Sequence, residues 1–111
     1  MDTPLKADGR FWITLDGRNF LGRGRVELLQ HIRETGSISR AAKAMKMSYK
    51  AAWDTVDAMN NAWHVPLVES GPAGSRLTED AECLIAAYLR AEARHTEFLL
   101  KLGDRLPARP G

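Results

Sequence analysis

The stretch GSISRAAKAMKMSYKAAWDTVDAMNNAW, residues 36–63, decides the fold of this chain. It predicts two helices joined by a tight turn, because Ser37 or Ser39 can cap the first helix and Ser48 can cap the second. Small alanines in the first helix let another helix approach closely. On the second helix, apolar residues recur at helical spacing and predict one buried stripe: Ala52, Val56, Met59 and Trp63. The stretch therefore predicts a helix-turn-helix.

The opposite face of the second helix is polar. Lys50, Asp54, Asp57 and Asn61 lie on that face, and Ser48 and Tyr49 begin the helix. A helix supported from behind in this way can enter the major groove of DNA with its N-terminal end. An ordinary helical hairpin whose polar face meets only water fits the same pattern. The two aspartates favour that alternative, because carboxylates repel phosphates.

Residues 21–61, LGRGRVELLQHIRETGSISRAAKAMKMSYKAAWDTVDAMNN, closely resemble a known domain. It is the N-terminal DNA-binding domain of the ModE-type molybdate-responsive transcriptional regulators. The motifs that carry the resemblance are GSIS at 36–39, MSYKAAWD at 47–54 and MNN at 59–61; FWITLDGR at 11–18 and PLVES and RLT at 66–78 also fit. The segment SISRAAKAM is more weakly similar to LysR-type regulators. The resemblance implies a winged helix-turn-helix and a sequence-specific DNA-binding regulator.

Two features depart from the ModE pattern. ModE-type proteins carry oxyanion-binding domains after this module, and we expect these domains to be absent because the chain ends at Gly111. The segment GPAGS at 71–75 is also shorter than the usual glycine-rich wing loop. The resemblance therefore does not imply that the chain senses molybdate. Constitutive DNA binding, a separate sensor protein and a small molecule at the dimer seam all stay open.

Length and composition favour one domain in a reducing compartment. The chain has 111 residues, 44% of them hydrophobic, which suits a single modest core. It contains no apolar run long enough for a membrane span and no secretory signal pattern. The single cysteine, Cys83, excludes an internal disulfide, so we expect a cytoplasmic protein.

The charge is unevenly distributed. The net charge is only +2, but residues 1–50 hold ten Lys and Arg against five Asp and Glu, whereas the remaining residues hold six against nine. The basic half is the half that contains most of the predicted DNA-facing side chains, as contacts to phosphate require.

The remaining segments complete the predicted architecture, which is mainly α with a small β component. Residues 1–10 are expected to be flexible, and residues 11–78 form the winged helix-turn-helix: a strand before Asp16-Gly17, a helix from Arg23 to Thr35 stopped by Gly36, and a wing hairpin turning at 71–74. Residues 79–105 form one long dimerisation helix, followed by a flexible tail at 106–111. No membrane contact is expected.

The long helix carries more apolar residues than one small domain can cover, so we predict a homodimer in which two such helices pair about a two-fold axis. The predicted interface residues are Leu84, Ile85, Tyr88, Ala91, Glu92, His95, Leu99 and Leu102. A two-fold dimer should bind an inverted repeat with half-sites about 34–36 Å apart.

Candidate DNA contacts follow from the same arrangement. Lys50 is the first choice for a base contact, since lysine donates to guanine O6 and N7. The other candidates are Ser48 and Tyr49 beside it, Asp54 on the same face, Ser39 and Arg40 on the preceding helix, Arg76 on the wing, and Arg23 and Arg25 at the start of the first helix. For the two last-named arginines, plain solvation is an equal alternative. Trp53 is expected to pack rather than to read bases.

Catalysis and metal binding have little support in the sequence. Three histidines and Cys83 are scattered, with no spacing between a nucleophile and a base and no Gly-rich phosphate loop. The single Glu92-x-x-His95 pair supplies too few ligands for a metal, and no cofactor is expected. The alternative to a DNA reader is a winged-helix protein-interaction module that docks a partner on the face of Asp54 and Asp57.

Overall fold

A computed structural model describes residues 2–111 of the chain. Its elements follow in the order β1 Ile13–Leu15, β2 Arg18–Leu21, α1 Arg23–Thr35, α2 Ile38–Ala44, α3 Tyr49–Trp63, β3 Val68–Gly71, β4 Gly74–Leu77 and α4 Glu79–Asp104. The strands form two antiparallel hairpins, β1 with β2 and β3 with β4. Helices α2 and α3 are the helix-turn-helix and β3–β4 is the wing, so the predicted winged-helix fold is confirmed.

Local capping sets the bounds of the two motif helices. Ser37 caps α2 by accepting a hydrogen bond from the backbone N–H of Arg40, so Ser39 lies inside the first turn. Ser48 caps α3 in the same way, with Ala51 as the donor at 3.0 Å. Between the helices, Lys46 adopts a left-handed backbone with φ of 56°. The sequence predicted both caps.

One core joins all four helices to both hairpins. Ala52, Val56 and Met59 of α3 are fully buried, which confirms most of the predicted stripe. Trp63, at the end of the stripe, is only half-buried, and its ring stacks on Phe20 with the centroids 5.6 Å apart. The buried residues are Phe20, Leu21, Val26, Leu28, Leu29, Ile32, Ile38, Ala41, Ala42, Ala52, Val56, Met59, Leu67, Val68, Ala81, Ile85 and Tyr88.

The wing is held beside α3 and the end of α1 by hydrogen bonds to its backbone. The side-chain carbonyl of Asn60 accepts from the N–H groups of Leu67 and Val68, and its amide donates to the Val68 carbonyl. On the other strand, the N–H of Ser75 donates to the carbonyl of Gly36 at 2.9 Å. Gly74 has φ of 113°, and a Cβ there would lie 2.6 Å from the Gly36 oxygen. Glycine at this position therefore lets the wing approach the end of α1.

Helix α4 begins within the domain and extends beyond it. Thr78 caps it, and all of its buried residues, Ala81, Ile85 and Tyr88, precede Leu89. The molecule is consequently elongated, with extents of 62 × 28 × 21 Å. Its radius of gyration is 17.9 Å, against about 13 Å for a compact domain of this length. The far half of α4 is therefore largely outside the core.

The two ends of the chain lie together. Thr3 and Arg109 pair through two backbone hydrogen bonds of 3.0 and 2.7 Å. A Cβ built on Gly103 of α4 would lie 3.3 Å from the backbone nitrogen of Ala7, so the N-terminal segment runs close to the end of α4. The expected flexibility of residues 1–10 and 106–111 stays a prediction, because a single arrangement does not test motion.

Candidate nucleic-acid interface

The N-terminal half of α3 projects an exposed face with both aromatic and charged side chains. Tyr49 is 54% exposed and Trp53 is 44% exposed. Lys50 and Asp54 form an ion pair of 2.9 Å on the same face. This hydrogen bond and the charge of Asp54 raise the pKa of Lys50 above its usual value, so the ammonium group stays protonated.

Trp53 was expected to pack, and the structure places it instead on the exposed side of α3. It lies seven residues, about two helical turns, before Asn60 and so shares roughly one side of α3 with it. The signal was present in the sequence, because Trp53 falls outside the spacing of Ala52, Val56 and Met59. A large aromatic group left exposed on this helix is available to a ligand.

A row of basic side chains flanks the exposed face of α3. Arg40, Lys43, Lys46 and Lys50 are all exposed and follow one another at intervals of three or four residues. Lys43 and Lys46 were not singled out from the sequence, because Lys46 lies in the turn between the two helices, where regular spacing does not by itself show a shared surface. Ser39 is exposed in the same first turn of α2. The row supplies positive charge where a phosphate backbone would pass beside an inserted helix.

The wing adds one exposed arginine. Arg76 lies on β4 directly opposite Glu69 of β3, and the two side chains form an ion pair of 3.4 Å. The Arg76 side chain is highly exposed, so this pair is weak and can open to admit another anion.

Two predicted DNA contacts lie apart from this face. Arg23 pairs with Glu92 of α4 at 3.1 Å. Arg25 donates to the carbonyl of Phe20 and lines a shallow recess with Ala58 and Ala62, which belong to the C-terminal half of α3. The structure therefore does not bring Arg23 and Arg25 together with Lys50, because both are engaged in holding α1 to its neighbours.

The predicted dimer residues divide into three groups. Ile85 and Tyr88 are buried in the core of their own subunit, so they have no surface to offer a partner; placing them at the interface was wrong, because helical periodicity shows that a face is covered but not what covers it. Glu92 binds Arg23 and the Tyr88 hydroxyl, the latter at 2.8 Å. Burial, with the bond to Glu92 second, raises the pKa of Tyr88 to about 12.

The other five predicted dimer residues are less buried, although Leu84 still packs against the core. His95 and Leu99 lie under the N-terminal segment: the His95 ring is 5.6 Å from that of Phe11, and both side chains are near Gly9. Leu84 and Ala91 are half-buried, and Leu102 is exposed. They share one side of α4 with Phe98, which is 61% exposed. This side is called the outer flank: Leu84, Ala91, Phe98 and Leu102.

Other kinds of site have no geometric support in residues 2–111. Within that range, no group of three or more His, Cys, Asp or Glu side chains is placed to hold a metal ion. None of the helices there combines the length and apolar character needed to cross a membrane.

A capped recognition-type helix, a supporting helix and a docked wing together define a winged helix-turn-helix DNA-binding domain. The sequence model for the bacterial regulatory helix-turn-helix protein, lysR family, matches residues 24–82. The chain belongs to this family. The match identifies the DNA-binding domain of a transcription regulator, a class of domain that is not typically enzymatic.

Curated relatives confirm the resemblance to ModE-type regulators. The chain is 37% identical to the molybdenum transport protein ModE of Azotobacter vinelandii over 109 residues, which are 94% of this chain and 40% of that protein. It is 50% identical to the molybdenum-pterin-binding protein MopB of Rhodobacter capsulatus over 84 residues, 71% of this chain and 31% of that protein. The chain thus spans well under half of the length of these relatives.

Solved structures share the fold. The DNA-binding domain of CbnR, in a crystal structure with DNA, aligns with a TM-score of 0.56 at 21% identity, covering 73% of this chain and 88% of that one. A LysR-family regulator from Eggerthella lenta aligns with a TM-score of 0.51 at 23% identity, covering 63% and 99%. At this level of identity, the similarity concerns the fold alone.

Proposed function

We propose that this chain is a sequence-specific transcription regulator that binds an inverted repeat in duplex DNA as a homodimer in the bacterial cytoplasm. Each subunit inserts the N-terminal half of α3 into a major groove. One observation carries the proposal: Tyr49, Lys50, Trp53 and Asp54 are exposed together at the start of a helix whose opposite face is fully buried. A helix held from behind in this way is what groove insertion requires.

The side chains on α3 supply the chemistry for reading bases. Lys50 donates to guanine O6 and N7, and Asp54 accepts from the amino group of cytosine or holds Lys50 in place. Tyr49 and Trp53 contact thymine methyl groups. Because carboxylates repel phosphates, Asp54 also weakens binding to DNA that does not offer it a donor.

The surrounding side chains position the domain on the duplex. Arg40, Lys43 and Lys46 contact phosphates beside the groove, and Ser39 and Ser48 bond to phosphate oxygens. Arg76 leaves Glu69 to contact the backbone or the minor groove from the wing. These contacts fix the register of α3 without carrying sequence information themselves.

The dimer forms through the outer flank of α4. Leu84, Ala91 and Phe98 recur every seven residues and Leu102 follows four residues later, which places them on one side of the helix. An apolar row that is exposed at Phe98 and Leu102 and half-buried at Leu84 and Ala91 is available for helix pairing. Pairing of two outer flanks sets two α3 helices about one helical turn apart, roughly 34–36 Å.

Selection from random-sequence duplexes tests the proposal. The intact chain should enrich an inverted repeat, bind it as a dimer in sedimentation, and bind random duplex weakly in a salt-sensitive manner. Failure to enrich any sequence, together with no binding to random duplex at low salt, would contradict it.

A further inference from the structure

Two ion pairs join α1 to α4, and their positions match. Arg23 pairs with Glu92 at 3.1 Å and Arg33 pairs with Glu82 at 2.6 Å. The arginines are ten residues apart on α1 and the glutamates are ten residues apart on α4, in the opposite direction. Each spacing corresponds to about 15 Å of helix. The two helices are therefore antiparallel and tied at two points with equal separation.

The surface between the two ion pairs is apolar, and one of the glutamates is itself held in place. Leu29 and Ile32 of α1 and Ile85 and Tyr88 of α4 are buried in the same core. The Tyr88 hydroxyl donates to Glu92 at 2.8 Å, so the carboxylate that binds Arg23 is oriented from its own helix. Apolar contacts hold the two helices together, whereas directional pairs at both ends resist sliding and tilting.

Helix α1 belongs to the part of the molecule that carries α3 and the wing. It packs on α2, and Gly36 at its end accepts the bond from the wing residue Ser75. Helix α4 carries the outer flank. The α1–α4 contact is thus where the DNA-reading part meets the dimerisation part.

We propose that Arg23–Glu92 and Arg33–Glu82 act as a two-point brace that fixes the tilt of α4 and so sets the half-site spacing that the dimer accepts. The inference deepens the proposed function and rests on it. Helix α4 has 26 residues, or about 39 Å, so a pivot of about 5° at its base moves its far end by about 3 Å. That displacement is close to the rise of one base pair, about 3.4 Å.

Glu82 and Glu92 are positioning residues, since both lie on α4 and neither contacts DNA in the proposed complex. The exposed pair Arg33–Glu82 contributes little to global stability. The Glu92 side chain is mostly buried, but a glutamine there can still accept from the Tyr88 hydroxyl. Removal of the two ion pairs should therefore change the spacing preference much more than the melting temperature or the affinity for an isolated half-site. A change in spacing preference without a comparable change in melting temperature or half-site affinity distinguishes a brace from a merely structural pair.

The experiment combines Glu82→Gln and Glu92→Gln in one double variant and compares it with the wild type. Affinity is measured on the selected inverted repeat and on versions with one base pair inserted or removed between half-sites. We expect the wild type to lose about tenfold or more on the altered spacings, in keeping with the cost of a mismatched site. The double variant should lose only about threefold, because α4 is then free to tilt toward the altered spacing. Glu79→Gln with Glu97→Gln is the matched control, because Glu97 pairs with Lys101 of its own helix.

A charge exchange adds a rescue test. Arg23→Glu alone and Glu92→Arg alone should both broaden the spacing preference, and the two together should restore it. A double glutamine variant whose spacing profile equals that of the wild type would overturn the brace, and so would a control variant that broadens equally.

A measurement without DNA separates the two proposals. Spin labels are attached at Ala58→Cys in α3 and Lys101→Cys in α4, in a Cys83→Ser background. They report the distance between the DNA-reading part of the molecule and the far end of α4. The brace predicts a single narrow distribution that broadens in the double glutamine variant; an unchanged distribution would overturn it. A wild type that is monomeric or shows no sequence preference would instead contradict the proposed function.

Discussion

The exposed face of α3 and the outer flank of α4 both leave large apolar side chains in contact with solvent, yet they differ in what surrounds those side chains. On α3, Tyr49 and Trp53 alternate with the Lys50–Asp54 pair, and a basic row lies alongside. The outer flank presents Phe98 and Leu102 as part of an apolar row. The first surface suits a polar, charged ligand that carries some apolar groups, and the second suits another apolar helix face.

This difference teaches that exposure alone does not identify a partner. Burial of a phenylalanine or leucine side chain contributes about 1.5–3 kcal/mol whichever surface supplies it. The interleaved charges on α3 would lose water against an apolar protein helix that offers them no further partners, whereas duplex DNA supplies donors, acceptors and phosphates. Four predictions test this contrast, in order of decreasing expected effect.

Phe98→Glu should abolish the dimer, because it places a charge in the middle of the outer flank. Loss of the second half-site should weaken binding to the inverted repeat by about a hundredfold or more. Sedimentation and gel-shift titration measure both effects. Leu100→Glu is the matched control, since Leu100 is 67% exposed on the other side of α4. A dimer lost equally in both variants would show that the outer flank is not the interface.

Lys50→Ala should lower affinity for the selected site by about five- to 150-fold, as expected for one specific base contact. Thermal unfolding should stay unchanged, because the side chain is exposed and bonds only to Asp54. Lys101→Ala, which removes the same charge from α4, serves as the control. Equal losses of affinity in the two variants would mean that Lys50 contributes only its positive charge and makes no specific base contact.

Trp53→Ala should abolish discrimination between thymine and uracil at the positions that Trp53 contacts, and should leave it at those that Tyr49 contacts. Uracil lacks the C5 methyl group, so wild-type protein should lose about fourfold at each contacted position, as expected for one methyl group. The variant should bind thymine and uracil alike at the positions that Trp53 contacts. Equal sensitivity of both proteins to the substitution would mean that Trp53 does not touch a thymine methyl group.

Arg76→Ala should have the smallest effect. It removes one phosphate contact, so the slope of log affinity against log salt should fall by about one unit, with sequence preference unchanged. Titration at several salt concentrations measures the slope. An unaltered slope would leave Arg76 bound to Glu69 in the complex as in the free protein.

Local chemistry made much of the fold predictable. The serine caps, the Gly36 stop, the Ala52–Val56–Met59 stripe and the wing turn each depend on residues close in sequence, so pattern alone could find them. The exposed position of Lys50 followed from the same stripe. Of the phosphate candidates on α2 and in the turn after it, the sequence identified Ser39 and Arg40 but not Lys43 and Lys46. These two lysines join Arg40 and Lys50 in a row only when the geometry of the turn is known.

Long-range contacts account for what the sequence could not predict. Arg23 and Glu92 are 69 residues apart, and no local pattern shows that they meet. For the same reason Tyr88 looked like an interface residue, although Phe11 and the core of its own chain cover it. His95 gave no sign of contact with Phe11, since that contact depends on where an extended N-terminal segment runs along α4.

Directed cleavage of DNA tests the central claim most directly. A cleaving reagent attached to Ala51→Cys, at the start of α3 in a Cys83→Ser background, is compared with the same reagent on Arg94→Cys of α4. The account predicts cuts in the major groove of both half-sites from residue 51 and none there from residue 94. Cleavage from residue 94 without cleavage from residue 51 would contradict it.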